Sequence, residues 1–236
     1  MKIKFLFLIL PLVIGCREYS SFKLSEREVK RLEIAKPRSI FYSIDDTAFY
    51  ICTNDGMIAK CNTNFSVLTK RKLNQANTSH IFVDELFVYV ITSKDLLKLD
   101  KSHFELKFQI PLSKLNLLGF KLLGFYLNPV MKTFDFVLDR KGLRILQFDP
   151  INFKRTKIVT MKKSYKASVC FLYRKYLYFI DNKTSSVDIL DISKSFKFVR
   201  SYKFSAPEIS SGSFLPPNII VLLSMQTRRV FYFSLE

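Results

Sequence analysis

The feature that most constrains this chain is an internal repeat. Five short apolar runs resemble one another, Ala48–Thr53, Leu86–Ile91, Thr133–Leu138, Tyr176–Ile180 and Asn218–Leu223, and their starts lie 38, 47, 43 and 42 residues apart. Self-similarity at such a period means stacked copies of one small unit, none of which can bury its apolar face alone. The runs are β-branched and aromatic, and no long stretch holds a helical apolar period, so the unit is made of strands.

Each run is followed by a polar turn (Asn54–Gly56, Ser93–Asp95, Asp139–Gly142, Asn182–Ser185, Gln226–Arg228) and a further strand. Asp55-Gly56 is the clearest hairpin signal, because tight reverse turns favour positive φ. A second polar turn then opens with Asn62, Asp100, Asp149 or Asp191 and is followed by Phe65, Phe104, Phe153 or Phe196. Asn and Asp side chains bond nearby backbone amides in turns, so these acids read as turn-formers and not as catalytic carboxylates. Outer strands follow at Val67–Leu73, Glu105–Ile110, Lys154–Thr160 and Lys197–Phe204. Inner strands precede each unit at Ser39–Ser43, His80–Val83, Phe120–Leu127, Ser168–Tyr173 and Ile209–Phe214.

That makes four strands per unit, except that the fifth reaches Glu236 without its outer strand, while Val29–Ile34 looks like the missing one. The expected architecture is an all-β ring closed by an N-terminal strand, which protects sheet edges from pairing with other chains. Over residues 29–236 the period and strand order resemble the five-bladed β-propellers of bacteria. No Trp-Asp dipeptide and no repeated Gly-His is present, so the WD-repeat class is not indicated. A β-sandwich is the alternative fold, and Ser25-x-x-Glu28 also fits a capping box that would open a short helix.

The N-terminus reads differently from the body. Lys2 and Lys4 precede an apolar stretch, Phe5–Ile14, which is too short to span a hydrocarbon core. A basic start, a short apolar run and a small residue before a cut point form a secretory signal, residues 1–15. Its end, Leu12-Val-Ile-Gly-Cys16, resembles the lipobox of bacterial lipoproteins. That resemblance implies a diacylglyceryl group on Cys16, cleavage before it and acylation of the new amino end. Residues 16–28 would then be the lipidated Cys and a short tether, and several acyl chains suffice for stable attachment. The Lys-, Phe- and Ile-rich usage is similar to that of spirochaetal lipoproteins. The implied location is the cell envelope, on the outer membrane, with the periplasmic and surface faces both open.

Composition limits the chemistry. With 38 Lys and Arg against 20 Asp and Glu the net charge is +18, and it is still +16 once residues 1–16 are removed, so the charge belongs to the folded body. Apolar residues make up 48% of the chain, enough for a packed core and too many for disorder. Three cysteines remain in the body, Cys52, Cys61 and Cys170, and they read as buried thiols; Cys52 is expected opposite residue 59 of its hairpin and not opposite Cys61. His80 and His103 lack the spacing of a zinc site, and Asp45-Asp46 reads as a solvated turn and not a calcium site. No nucleophile elbow, phosphate loop or His-Glu-x-x-His pattern occurs, so no catalytic residue, metal or cofactor is assigned.

The basic excess is the remaining lead. In propellers the loops from outer to next inner strand and from second to third strand share one face. Here they carry Lys36, Arg38, Lys94, Arg140, Lys141, Lys162, Lys163, Lys183, Arg228 and Arg229. Clustered charge of one sign speeds encounter with an anionic partner, and the candidate anion-binding set is Lys94, Arg140, Lys141, Lys162, Lys163, Lys183, Arg228 and Arg229. Outer-strand lysines, Lys70, Lys72, Lys107, Lys154, Lys157, Lys197 and Lys203, read as edge protection. The expected function is a monomeric, non-enzymatic binding scaffold at the envelope. Its partners would be the membrane, through the lipid, and a protein or anionic polysaccharide; nucleic acid is not expected. The alternatives are a periplasm-facing scaffold for outer-membrane protein assembly, and a propeller enzyme acting on sugars.

Overall fold

The computed structural model describes residues 22–23, 25–139, 142–161 and 167–235. These form a five-bladed β-propeller. Blade 1 holds β3 (Pro37–Ser43), β4 (Ala48–Thr53), β5 (Met57–Cys61) and β6 (Val67–Lys72) from axis to rim. Blade 2 holds β7 (His80–Val83), β8 (Phe87–Ile91), β9 (Asp95–Asp100) and β10 (Leu106–Pro111), and blade 3 holds β11 (Lys121–Asn128), β12 (Thr133–Asp139), β13 (Leu143–Phe148) and β14 (Arg155–Thr160). Blade 4 holds β15 (Val169–Tyr173), β16 (Tyr176–Asp181), β17 (Ser186–Asp191) and β18 (Lys197–Lys203). Blade 5 takes β19 (Ser211–Leu215), β20 (Ile219–Ser224) and β21 (Arg229–Ser234) from the C-terminus and β2 (Ser25–Arg31) from the N-terminus.

The closing strand pairs antiparallel with β21, from Ser25 opposite Ser234 to Arg31 opposite Arg229. It opens four residues earlier than the Val29 expected from sequence, and the capping-box helix at Ser25 does not form. A helix there would leave the edge of β21 without its ladder partners, whereas a strand satisfies them. The sandwich alternative falls with it, because the inner strands of successive blades lie side by side around one axis and β19 returns to β3.

Apolar side chains on the two faces of each blade meet those of its neighbours, giving clusters between blades rather than one central core. The recurring turn aromatic belongs to these clusters. Phe65, Phe104, Phe153 and Phe196 all have positive φ, between 55° and 64°. Asn62, Asp100, Asp149 and Asp191 accept hydrogen bonds from the amides of their turns, for example from the His103 amide to Asp100 at 2.7 Å. The capped turn holds the next aromatic in the left-handed region. Phe104 is thereby buried beside Tyr50 of blade 1, and Phe153 lies 5.7 Å from Phe134. Gly56 serves the opposite end of blade 1: its φ is +86°, and a Cβ there would lie 2.2 Å from the Gln75 carbonyl oxygen.

At the axis the open edges of the inner strands are stitched by serines. Ser211 Oγ accepts from the Ile40 amide at 3.1 Å, Ser213 Oγ from Tyr42 at 2.8 Å, and Ser39 Oγ from Ile81 at 3.3 Å. These bonds satisfy amides that no ladder reaches, across blades 5, 1 and 2. Side chains including Phe41, Phe82, Phe125 and Phe171 fill the mid-channel, leaving a cavity of only about 20 Å³. The channel is plugged, and it opens into a separate cleft at each end.

Candidate functional site

The two ends differ in chemistry. We call upper the face made by the second-to-third turns and the outer-to-inner links, and lower the opposite one. Upper loops and strand ends carry Arg31, Lys36, Arg38, Lys72, Lys94, Lys114, Lys121, Lys183, Lys203, Arg228 and Arg229 against Glu33, Asp55, Asp95, Asp139, Asp181 and Glu208 among the described residues. On the lower face Asp45, Asp46, Asp84, Glu85, Asp100, Glu105, Asp149 and Asp191 offset Lys101, Lys132, Lys154, Arg174, Lys175, Lys194 and Lys197 among the described residues.

The upper mouth is a cleft of about 260 Å³ to which all five blades contribute. It is lined by the residues that open each inner strand, among them Arg38, Ser79, His80, Lys121, Ser168 and Ser210, together with Asn182, Glu208 and Gln226. Arg38 Nη1 lies 3.4 Å from the Met225 sulfur, and neither Arg38 nor Lys121 has a carboxylate partner among the described residues. Glu208 accepts from Gln226 Nε2 at 2.8 Å. The Asn182 side chain is spent on the chain itself, donating to the Ile209 carbonyl at 2.9 Å and accepting from its amide at 3.0 Å. His80 Nδ1 lies 3.0 Å from Ser79 Oγ. Burial, with the Arg38 cation beside it, pushes its pKa down to about 4. The imidazole is therefore neutral at pH 7, and the charged side chains lining the cleft are Arg38, Lys121 and Glu208, an excess of one positive charge.

Of the candidate anion-binding residues, Lys94, Lys183, Arg228 and Arg229 are exposed on or beside the second-to-third turns of blades 2, 4 and 5. They ring the upper face without entering the cleft. Cys16, Arg140, Lys141, Lys162 and Lys163 lie outside the described residues. Lys121 had no place in the sequence reading, where it looked like part of an apolar run. Its signal is positional: polar or charged residues recur at the start of each inner strand or one position from it (Arg38, His80, Lys121, Ser168, Ser210).

The lower mouth is a cleft of about 270 Å³ lined by Phe41, Phe82, Leu127, Leu172, Tyr173 and Phe214. Tyr173 and Phe214 stack with centroids 3.9 Å apart. The surrounding turns expose Ile44, Leu86, Val130 and Met131. Asp46, read from sequence as a solvated acid, is instead a link between blades. Its carboxylate meets Lys101 Nζ at 2.7 Å and Lys60 Nζ at 3.1 Å, and accepts from Ser43 Oγ at 2.8 Å and the Tyr50 hydroxyl at 3.0 Å. Burial pushes its pKa up, but the bonds from Lys101, Ser43, Lys60 and Tyr50 together outweigh that and hold it well below the usual carboxylate range. No group of three or more metal-ligating side chains occurs among the described residues.

The three body cysteines are free and buried. Cys52 stands opposite Ile58 and Cys61 opposite Phe49, one position from the register expected for Cys52. Burial raises the thiol pKa of Cys52 and Cys61 to about 11 and that of Cys170 further. At Gly124 the inner strands of blades 3 and 4 approach so closely that a Cβ would lie 2.3 Å from the Cys170 carbonyl oxygen.

No protein-family model and no curated protein matches the sequence. Solved propellers do match the fold. Glutaminyl cyclase of Myxococcus xanthus aligns with a TM-score of 0.69 at 12% identity, over 92% of this chain and 98% of its own. The Cps50 (Swd1) β-propeller domain of Myceliophteria thermophila aligns at 0.59 and 8%, over 90% of this chain and all of its own. BamB from Moraxella catarrhalis aligns at 0.52 and 9%, over 90% and 98%. At these identities the likeness is one of fold alone.

Proposed function

We propose that this propeller is a lipid-anchored envelope protein, attached to the outer membrane through Cys16, that works by binding an anionic partner on its upper face and performs no chemistry of its own. The observation that carries the reading is the upper cleft, where Arg38 and Lys121 stand without carboxylate partners at the centre of a face ringed by further cations. A concave cationic surface focuses its field on an anionic ligand and raises the rate of encounter. The partner class that fits is a carboxylated or sulfated polysaccharide or an acidic protein segment, with one anionic group seated between Arg38 and Lys121. Retention on heparin across a salt series tests it. The Arg38→Gln/Lys121→Gln pair is expected to elute at clearly lower salt than a Lys154→Gln/Lys157→Gln pair, which removes the same charge on or beside the outer strand of blade 3. Equal elution would sink the reading.

The lower cleft favours a second reading, a scaffold that docks other envelope proteins. Its aromatic floor and exposed aliphatic turns are the composition of a protein-contact surface, with charges of both signs at the rim. Proteolysis of intact cells separates the settings: protection of the chain favours a periplasmic scaffold, and rapid cleavage an outward-facing binder.

A further inference from the structure

We propose that the outer edge of blade 4 is the surface by which this molecule rests on an anionic bilayer. The inference rests on the lipid attachment at Cys16 put forward above. Phe22–Lys23 (β1) pairs in parallel with β18, Phe22 opposite Tyr202 and Lys23 opposite Lys203, so blade 4 alone has a fifth strand among the described residues. The chain therefore leaves the ring at that edge. Six residue steps separate Phe22 from Cys16, a reach of about 20 Å when fully extended. An anchored Cys16 holds the edge of blade 4 within that distance of the membrane.

The chemistry of the edge suits the occupant. β18 reads Lys-Phe-Val-Arg-Ser-Tyr-Lys and has no acid. Lys197, Arg200 and Lys203 are exposed, and Val199 between them is 49% exposed. Cations near an anionic lipid surface gain roughly fivefold in affinity each, and apolar side chains among them enter the interface. Charge by itself does not single out blade 4, since β6 carries Lys70, Arg71 and Lys72 and is equally free of acids. The point where the tether leaves does. The lower face is a poorer fit, because Asp45, Asp84 and Glu85 fringe its mouth. Seated on its edge, the ring leaves both axial clefts open to solution.

The test is amine labelling of the full lipidated chain, read by mass spectrometry, on phosphatidylcholine vesicles with about 30% phosphatidylglycerol against the same chain in detergent. Lys197 and Lys203 are expected to label about tenfold more slowly on the vesicles and to recover in about 0.5 M salt, while Lys70 and Lys72 stay within about twofold. Uniform protection, absence of protection, or protection centred on Lys36 and Lys94 overturns the proposal. The mass of the N-terminal peptide reads acylation of Cys16 separately, so failure of the anchor is distinguishable from failure of the edge. As a second arm, Lys197→Gln/Arg200→Gln/Lys203→Gln should lose at least about tenfold more vesicle affinity than Lys70→Gln/Arg71→Gln/Lys72→Gln, which removes the same charge. Equal losses overturn the proposal as well.

Discussion

Asp46 offers the sharpest test of how the blades hold together. It lies in the turn between β3 and β4, yet its nearest cation, Lys101, belongs to the turn after β9 in the next blade. The carboxylate side chain is 18% exposed and those of Lys101 and Lys60 are 14% and 23% exposed. Hydrogen bonds to charged groups contribute about 1.5–3 kcal/mol each when shielded, against about 0–1 for exposed pairs. With two ammonium partners in this partly shielded setting, Asp46→Asn should cost about 2–4 kcal/mol. For a body of this size that corresponds to a fall in Tm of about 4–16 °C. The pH dependence follows from the direction of the shift. The folded-state pKa is depressed, so the stabilisation is present above the unfolded carboxylate value and is lost as pH falls through the folded one. Thermal unfolding of wild type and variant from pH 7 to about 2.5 should therefore show a gap that narrows at the acid end. A variant within about 1 °C of wild type at pH 7 refutes the reasoning, as does a gap that ignores pH. A double-mutant cycle with Lys101→Met should give a coupling of about 1 kcal/mol or more, and additivity would deny the link between blades.

Other outcomes follow from the same geometry. Phe104→Ala should cost about 3–5 kcal/mol by chemical denaturation, because it empties a buried site between blades 1 and 2, while Phe65→Ala, at a half-buried turn, costs less; the reverse order would deny the packing role. With the His80 pKa near 4, heparin retention should stay flat from about pH 5.5 to 8, and a step near 6.5 would contradict it. The same depressed value means that His80 costs stability as pH falls from its unfolded value near 6.5 toward 4, a loss that His80→Gln should remove from the acid unfolding curve. Cys52, Cys61 and Cys170 should resist a thiol reagent until the chain is unfolded, and the mass of the body should be unchanged by reductant. A change of about 2 Da would reveal a disulfide.

The sequence by itself determined the unit, its number and its closure. Strand runs such as Ala48–Thr53, the hairpin at Asp55-Gly56 and the Asn62-to-Phe65 turn are local: alternation, turn chemistry and left-handed φ act over a few residues and repeat with the period. The closing strand was legible because its pattern matched that of the other outer strands. Its first residues, Ser25 to Glu28, were not, because the pairing that makes them a strand lies on β21, about two hundred residues away. The tertiary structure decided everything that depends on convergence. Arg38 and Lys121 are 83 positions apart and meet at one mouth only because the ring is closed. Asp46 looked like a solvated turn acid until blade 2 supplied Lys101. The channel could have been a polar pore or a plug, and the packing of Phe41, Phe82, Phe125 and Phe171 makes it a plug. Composition fixed how much positive charge the body carries. Which face and which edge receive it is set by loop placement around an axis, a property of the assembled ring that no single repeat contains.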